Sequence, residues 1–524
     1  MRRFIRLSAV AALVGVLAGC ENDGLFDGSL DFGPGHALGG GVAYLERESQ
    51  RLFFLEVEAD RVDARVLAEA EDGMRFAWVR YGPDPEAPTN AFVLAVPEDE
   101  RETDLDETLM RIDPVTGSVR RYAVRSYFGA TAFDPNGRYL VLHHQDSDAG
   151  ESGGLFNPNE VAIVDLQAES AAQAVRVTSL EIAGRTIRGV SFVDPLEVDG
   201  SERRIGVFLA RGAVKLVDLL QPDAGTVTVK LVADDDPRVV TPRQVIARAG
   251  DEIRDPMIFI RASGTDEVYA ISLVPRSDDQ PGFWATLNQL DAGSQPRDMV
   301  LVEDGDAPML VIANDWTSTV VDIDTADAFT LHLQGAANHL LLRGGDDERE
   351  VVLYDVGRCS LHVSFLEVDG LAEERGGNLD ELHVPDGVQD AIAIDEDRLL
   401  LVSCYSDDLV LLDLEDRSMT VLSSGGYYGW SQAAAAADTF FIAQVGSERV
   451  VFLDLDSGHP ESLVLDEPVD EFHALPEVGV GMVLHQSPTG RATLFPLGAP
   501  AREAAVMVDG FWLAGLFDDT GVPR

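Results

Sequence analysis

Between Ala130 and Ile182 the chain reads ATAFDPNG (residues 130–137), RYLVLHH (138–144), EVAIVDL (160–166) and AVRVTSLEI (174–182). Each run is short, rich in β-branched and large apolar residues, and closed by turn-forming residues, so it reads as a strand. Pro135-Asn136-Gly137 is a short hairpin turn between the first two. Residues 388–424 repeat the plan as DAIAIDED, RLLLVSC, DLVLLDL and MTVLSS. Apolar spacing of helical period is not sustained anywhere. The alanine run from Ala433 to Ala437 falls where the first, innermost strand of its unit belongs, with a short helix as the competing reading.

The third run of the unit, an apolar strand ending in an acid, recurs along the chain. Its anchors are Glu56, Asp113, Asp165, Asp218, Ser272, Asp324, Glu367, Asp413, Asp454 and Pro496, spaced 52–57 residues apart up to Asp324 and 41–46 thereafter. A period in this range belongs to four-stranded blades stacked around an axis. The expected fold is therefore all-β: a β-propeller of about eight to ten four-stranded blades, with two sub-rings as the alternative. The first unit lacks an evident inner strand, and a spare run, FWLAGLF, stands at residues 511–517. Pairing the N- and C-terminal strands would close the ring and remove both sheet edges. These boundaries give a propeller over residues 42–518 and a tail over 519–524.

The form FDPNGRYLV around Asp134, followed by VAIVDL, resembles the YVTN family of β-propellers, as do the units around Asp395 and Asp413. The tetrapeptide that names that family is absent. The resemblance implies the fold; its lactonase-like members suggest a hydrolase or isomerase using His and Arg at the channel mouth as the alternative function.

At the N-terminus Arg2, Arg3 and Arg6 precede an apolar run from Leu7 to Ala18, which suits a signal peptide and is too short to span a bilayer. Leu17-Ala18-Gly19-Cys20 resembles the lipobox of bacterial lipoproteins. That resemblance implies removal of residues 1–19, acylation of Cys20 and stable anchoring by two or three acyl chains. Glu21 in place of Asp favours the outer membrane, and the glycine-rich stretch 20–41 reads as a flexible tether. Composition agrees with an acyl anchor rather than a basic patch: 40 basic and 91 acidic side chains give a net charge of −51, and loss of three arginines makes it −54. Such a surface repels phosphate backbones, which excludes nucleic acid as a partner.

Binding residues on a propeller concentrate in the loops between second and third strands and in the links between blades. That register selects His143, His144, Arg188, Arg297, Asp298, Trp316, His339, Gln389, Asp390, Tyr405, Tyr427, Trp430, His473 and His485 as a candidate binding face. No zinc, haem, phosphate-loop or dinucleotide motif occurs, so no catalytic residue, metal ligand or cofactor is assigned. Gly429-Trp430-Ser431-Gln432-Ala433 imitates a nucleophile elbow but enters a strand where that motif needs a helix. Cys359 and Cys404 follow second strands of consecutive units; they are either a disulfide or two separate thiols. The expected role is a non-catalytic, lipid-anchored envelope propeller that binds a protein, peptide or glycan, or serves as a scaffold through the rim of the ring.

Overall fold

The computed structural model describes residues 32–512, apart from 83–88, 99–105, 146–156, 183–185, 199–200, 223–225, 234–236, 251–254, 277–281, 304–307, 345–348, 369–377, 396, 407, 424–431, 437–438, 455–458, 488–489 and 499–503. The strands between Ala130 and Ser179 form the expected antiparallel sheet, in the order Ala130–Phe133, Tyr139–His143, Glu160–Asp165 and Val175–Ser179. Alternate side chains of a strand point to opposite faces. Leu140 and Leu142 pack with Phe92 and Leu94 of the preceding sheet, whereas Tyr139 and Val141 pack with Phe208 and Ala210 of the following one. A blade sandwiched on both faces explains why its second strand is apolar throughout rather than alternating.

The same relation holds around the whole molecule. Ten apolar cores each join two successive blades, and the last joins blade ten to blade one. A cycle of ten shared cores is a closed ring, so the described residues form a single β-propeller of ten blades, beyond the usual four to eight. Seven blades are separate four-stranded sheets among the described residues.

The other three depart from that plan. In blade six, Met309–Asp322 forms one 14-residue strand whose first half pairs with Asp298–Val302 and whose second half pairs with Ala328–Ala337. Yet Ser318 Oγ donates to the Ile312 carbonyl at 3.1 Å, and Asn314 Nδ2 donates to Thr319 Oγ1 at 2.8 Å. A straight strand would hold residues 312 and 318 roughly 20 Å apart. The chain therefore doubles back at Asn314–Trp316, where Asp315 takes a φ of 58°. Blades seven and eight share one seven-stranded sheet because Leu379–Ala393 is both the outer strand of one and the inner strand of the next. The chain turns between these roles at Asp386 and Gly387, both with positive φ.

The acid that ends the third strand has a local cause. Asp113, Asp165, Asp218 and Asp413 accept backbone N–H bonds from residues two or three positions on, at 2.9–3.2 Å, and so close the turn into the outer strand. In blade six that part is played by Asp322, not by Asp324 as the sequence spacing had it.

Ring closure also differs in its means. A short inner strand, His36–Leu38, completes blade one, so the propeller begins inside the stretch read as a tether. Blade ten is completed by Val506–Asp509, and Phe511 and Trp512 are helical; residues 513–517 of the run read as a spare strand lie outside the described residues. Closure among the described residues is by packing, not by strand pairing. Residues 32–512 place no strand of one terminus in the other's sheet, because Gly490 and Gly510 end blade ten in a turn, joined by a 2.7 Å backbone hydrogen bond, that aims Phe511 and Trp512 at the core. The alanine run is a strand, Gln432–Ala436, paired with Thr439–Ala443.

Candidate functional site

Every inner strand starts on the face where its neighbouring second strand ends, as the pairs Asp298↔Ala313, His339↔Tyr354, Asp390↔Val402 and Glu471↔Leu484 show. The inner strands of blades five, six and seven adjoin in turn. The mouth residues therefore sit at one end of the axis, carried by rigid strands.

Asp298 is the junction of this mouth. Its Oδ1 accepts from Gln244 Nε2 at 2.7 Å and from the Met299 N–H at 2.9 Å, while Oδ2 accepts the Leu340 N–H at 2.8 Å. One carboxylate thus ties blades five, six and seven together. Gln244 in turn accepts from Arg261 Nε at 2.8 Å. Burial lowers the Arg261 pKa, and Asp298 opposes that shift. Beside them His339 is exposed and stacks on Tyr354, with centroids 5.5 Å apart. Burial raises the Tyr354 phenol, and the charges of Asp298 and Asp390 add to it.

An alternating charge ladder runs across the adjacent turns. Asp315 takes Arg297 Nε at 3.0 Å and Arg358 Nη2 at 2.7 Å, and Arg358 Nε lies 3.6 Å from Asp355. Burial acts to raise Asp315, but hydrogen bonds from Arg297 and Arg358 prevail and hold it below the usual carboxylate range. Asp355 is shifted the other way: it has no solvent exposure, and burial raises it against the pull of Arg358.

Trp316 and Tyr405 stand out from the second-to-third-strand turns of blades six and eight, 61% and 71% exposed. The corresponding turn of blade seven lies between them. There Cys359 and Cys404 are joined as a disulfide with a Cα–Cα distance of 5.5 Å, linking the turns of blades seven and eight. Gln389 Oε1 lies 3.3 Å from the Cys404 sulfur, and Asp390 bonds the N–H of Ala391. Arg188 is exposed at a bulge in the inner strand of blade four.

The imidazoles are placed differently from the rest. His143, His144, His473 and His485 are all buried. His143 Nδ1 contacts the His144 carbonyl, His144 packs on Phe128, and His485 bonds the Pro468 carbonyl and Thr493 Oγ1. These rings hold strand ends in place, and His485 also lines the cleft at the seam of blades ten and one. Tyr427, Trp430 and Cys20 lie outside the described residues. No group of three or more His, Cys, Asp or Glu able to hold a metal occurs among the described residues.

Reading the sequence missed the seam between blades ten and one. Tyr44 Oη donates to Glu471 Oε2 at 2.8 Å and is hydrogen-bonded to His473 Nε2 at 3.1 Å; the Gly35 N–H donates to Glu471 Oε1 at 2.8 Å. A Cβ on Gly35 would land on the Tyr44 ring, so only glycine fits. Burial works against the Glu471 charge, yet bonds from His473, Tyr44 and Gly35 lower its pKa overall. The i, i+2 spacing of Glu471 and His473 on an inner strand was a visible signal of a shared face; Tyr44, more than 400 positions away, gave none.

No protein-family model matches the chain, and no curated protein does. Solved structures do. Dihydro-heme d1 dehydrogenase NirN, in complex with DHE, is 14% identical over 76% of this chain and 78% of its own, with a TM-score of 0.40. The WD40 domain of SCAP from fission yeast is 10% identical over 82% of this chain and 99% of its own, with a TM-score of 0.37.

Proposed function

We propose that this protein is a lipid-anchored propeller of the bacterial cell envelope that binds a protein, peptide or glycan through its channel mouth, without catalysis. The observation that carries the binding reading is the pair of exposed aromatic side chains, Trp316 and Tyr405, flanking a braced turn beside the Asp298 network. Large aromatic surface with convergent polar groups on rigid turns is what a recognition site needs. Four of the five candidate histidines are buried, so the lactonase-like alternative would rest on the exposed His339, since an acid–base group must reach its substrate.

Anchoring at Cys20 rests on the lipobox resemblance. The Cys20→Ala variant is expected to leave the membrane fraction and to lose incorporation of labelled fatty acid; unchanged membrane retention and labelling refute the anchor. For binding, the fragment from Asn22 and its Trp316→Ala/Tyr405→Ala variant are compared as baits on envelope extract. A captured partner that the double variant no longer retains supports the mouth. Equal capture by both moves binding elsewhere, and turnover across a lactone panel overturns the non-catalytic reading.

A further inference from the structure

The seam between blades ten and one holds a cleft of about 430 Å³, a volume suited to a small ligand. One wall is aromatic: Phe32 and Trp512 stack with centroids 4.2 Å apart, and Tyr44 meets Trp512 edge-on at 5.4 Å. Asp470 and Glu471 also line it, Glu471 bonded directly to Tyr44. The cation in the lining, Arg491, is ion-paired to both Glu467 and Asp509, so its charge is spent outside the carboxylate pair. Asp470 is exposed, and its carboxylate accepts from the neutral Gln486 amide at 3.4 Å. Glu471 is held charged by neighbouring donors, as its lowered pKa shows.

We propose that this cleft binds a small organic ammonium ion, seated against the aromatic wall and beside the two carboxylates. Asp470 supplies the charge open to a guest, since both Glu471 oxygens already accept hydrogen bonds; a neutral guest would gain nothing from that charge, and an anion would be repelled. An alkylated ammonium suits both the charge and the rings, because the ring faces attract cations and the methyl groups cover apolar surface. The cleft draws residues 32–34 and Tyr44 from one end of the chain, and Asp470, Glu471, His485, Arg491 and Trp512 from the other. It exists only in the closed ring, so an occupant stabilises closure by mass action.

The test uses the full-length protein with choline chloride as the probe, against sodium chloride at equal ionic strength and against the neutral tert-butyl isostere of choline. Saturable binding by calorimetry together with a raised melting temperature, for choline alone, is expected. Asp470→Asn, an exposed change outside the closure bonds, is expected to weaken choline binding about fivefold, the scale of one partly exposed charge contact. A choline response no larger than that of sodium chloride, an equal response to the neutral isostere, or unchanged affinity in Asp470→Asn overturns the proposal.

Discussion

Two joints of the ring solve the same problem in opposite ways. Between blades seven and eight the backbone itself is shared, since Leu379–Ala393 belongs to both, and the Cys359–Cys404 link lies over the junction. Between blades ten and one no covalent link crosses among the described residues. That joint rests on a core containing Tyr44, Phe53, Leu484, Leu494, Phe511 and Trp512, capped by the Tyr44–Glu471–His473 bonds. The first joint forms from residues near each other in sequence. The second must bring together segments more than 400 residues apart, and its loop-closure cost is met only once the intervening blades have formed. Rigidity thus sits beside the proposed binding mouth, and the vulnerable joint is the seam.

The largest effect is expected at the seam. Trp512→Ala removes a buried indole from the closure core and should cost about 3–5 kcal/mol. Urea unfolding should then show blades at the two ends loosening first, read by hydrogen exchange in residues 36–69 and 471–509; uniform loss of protection would contradict the seam as the weak joint. Replacing both Cys359 and Cys404 by serine should cost roughly 3–4 kcal/mol on the chain-entropy model for the 45-residue interval. Here the exchange pattern should change around residues 350–413 and leave the seam untouched. If mass spectrometry finds two thiols in the mature protein, this second expectation fails with the bridge.

Acid should separate the joints by sign. Glu471 has a folded pKa below its ordinary 4.5, so it stabilises above that value, and this contribution is lost as pH falls through the folded pKa. Asp355 has a folded pKa above its ordinary 3.8, so its favourable contribution is complete below that value and is lost as pH rises through the folded pKa. Glu471→Gln should flatten the acid loss of stability at the seam, and Asp355→Asn should stabilise blade seven at neutral pH. Melting curves of both variants across the acid range check this; identical slopes for wild type and Glu471→Gln would remove Glu471 from the closure. The smallest effect is expected at Asp413→Ala, which deletes a turn cap common to several blades and should cost about 1 kcal/mol by denaturant titration, with both joints otherwise intact.

The ten repeats were legible because each blade is built by local rules: apolar strands two-sided in their burial, a turn after each, and an acid to close the last one. Asp298, Arg297, His339, Gln389 and Asp390 were legible at the mouth for the same reason, since strand order alone puts the start of an inner strand there. The other four histidines were not, because a loop position by count can still turn inward, as His485 does to meet Thr493. The Asp322 cap escaped the spacing argument because Asp322 and Asp324 stand two residues apart and the period alone does not choose between them.

Sequence by itself determined the blade, its period and its outward-facing turns, since these depend on interactions within some fifty residues. Only the tertiary structure decided how many blades make the ring and what holds its ends. Closure is a matter of accumulated angle between neighbouring sheets and of contacts such as Tyr44 with Glu471, and neither leaves a periodic trace in the order of residues.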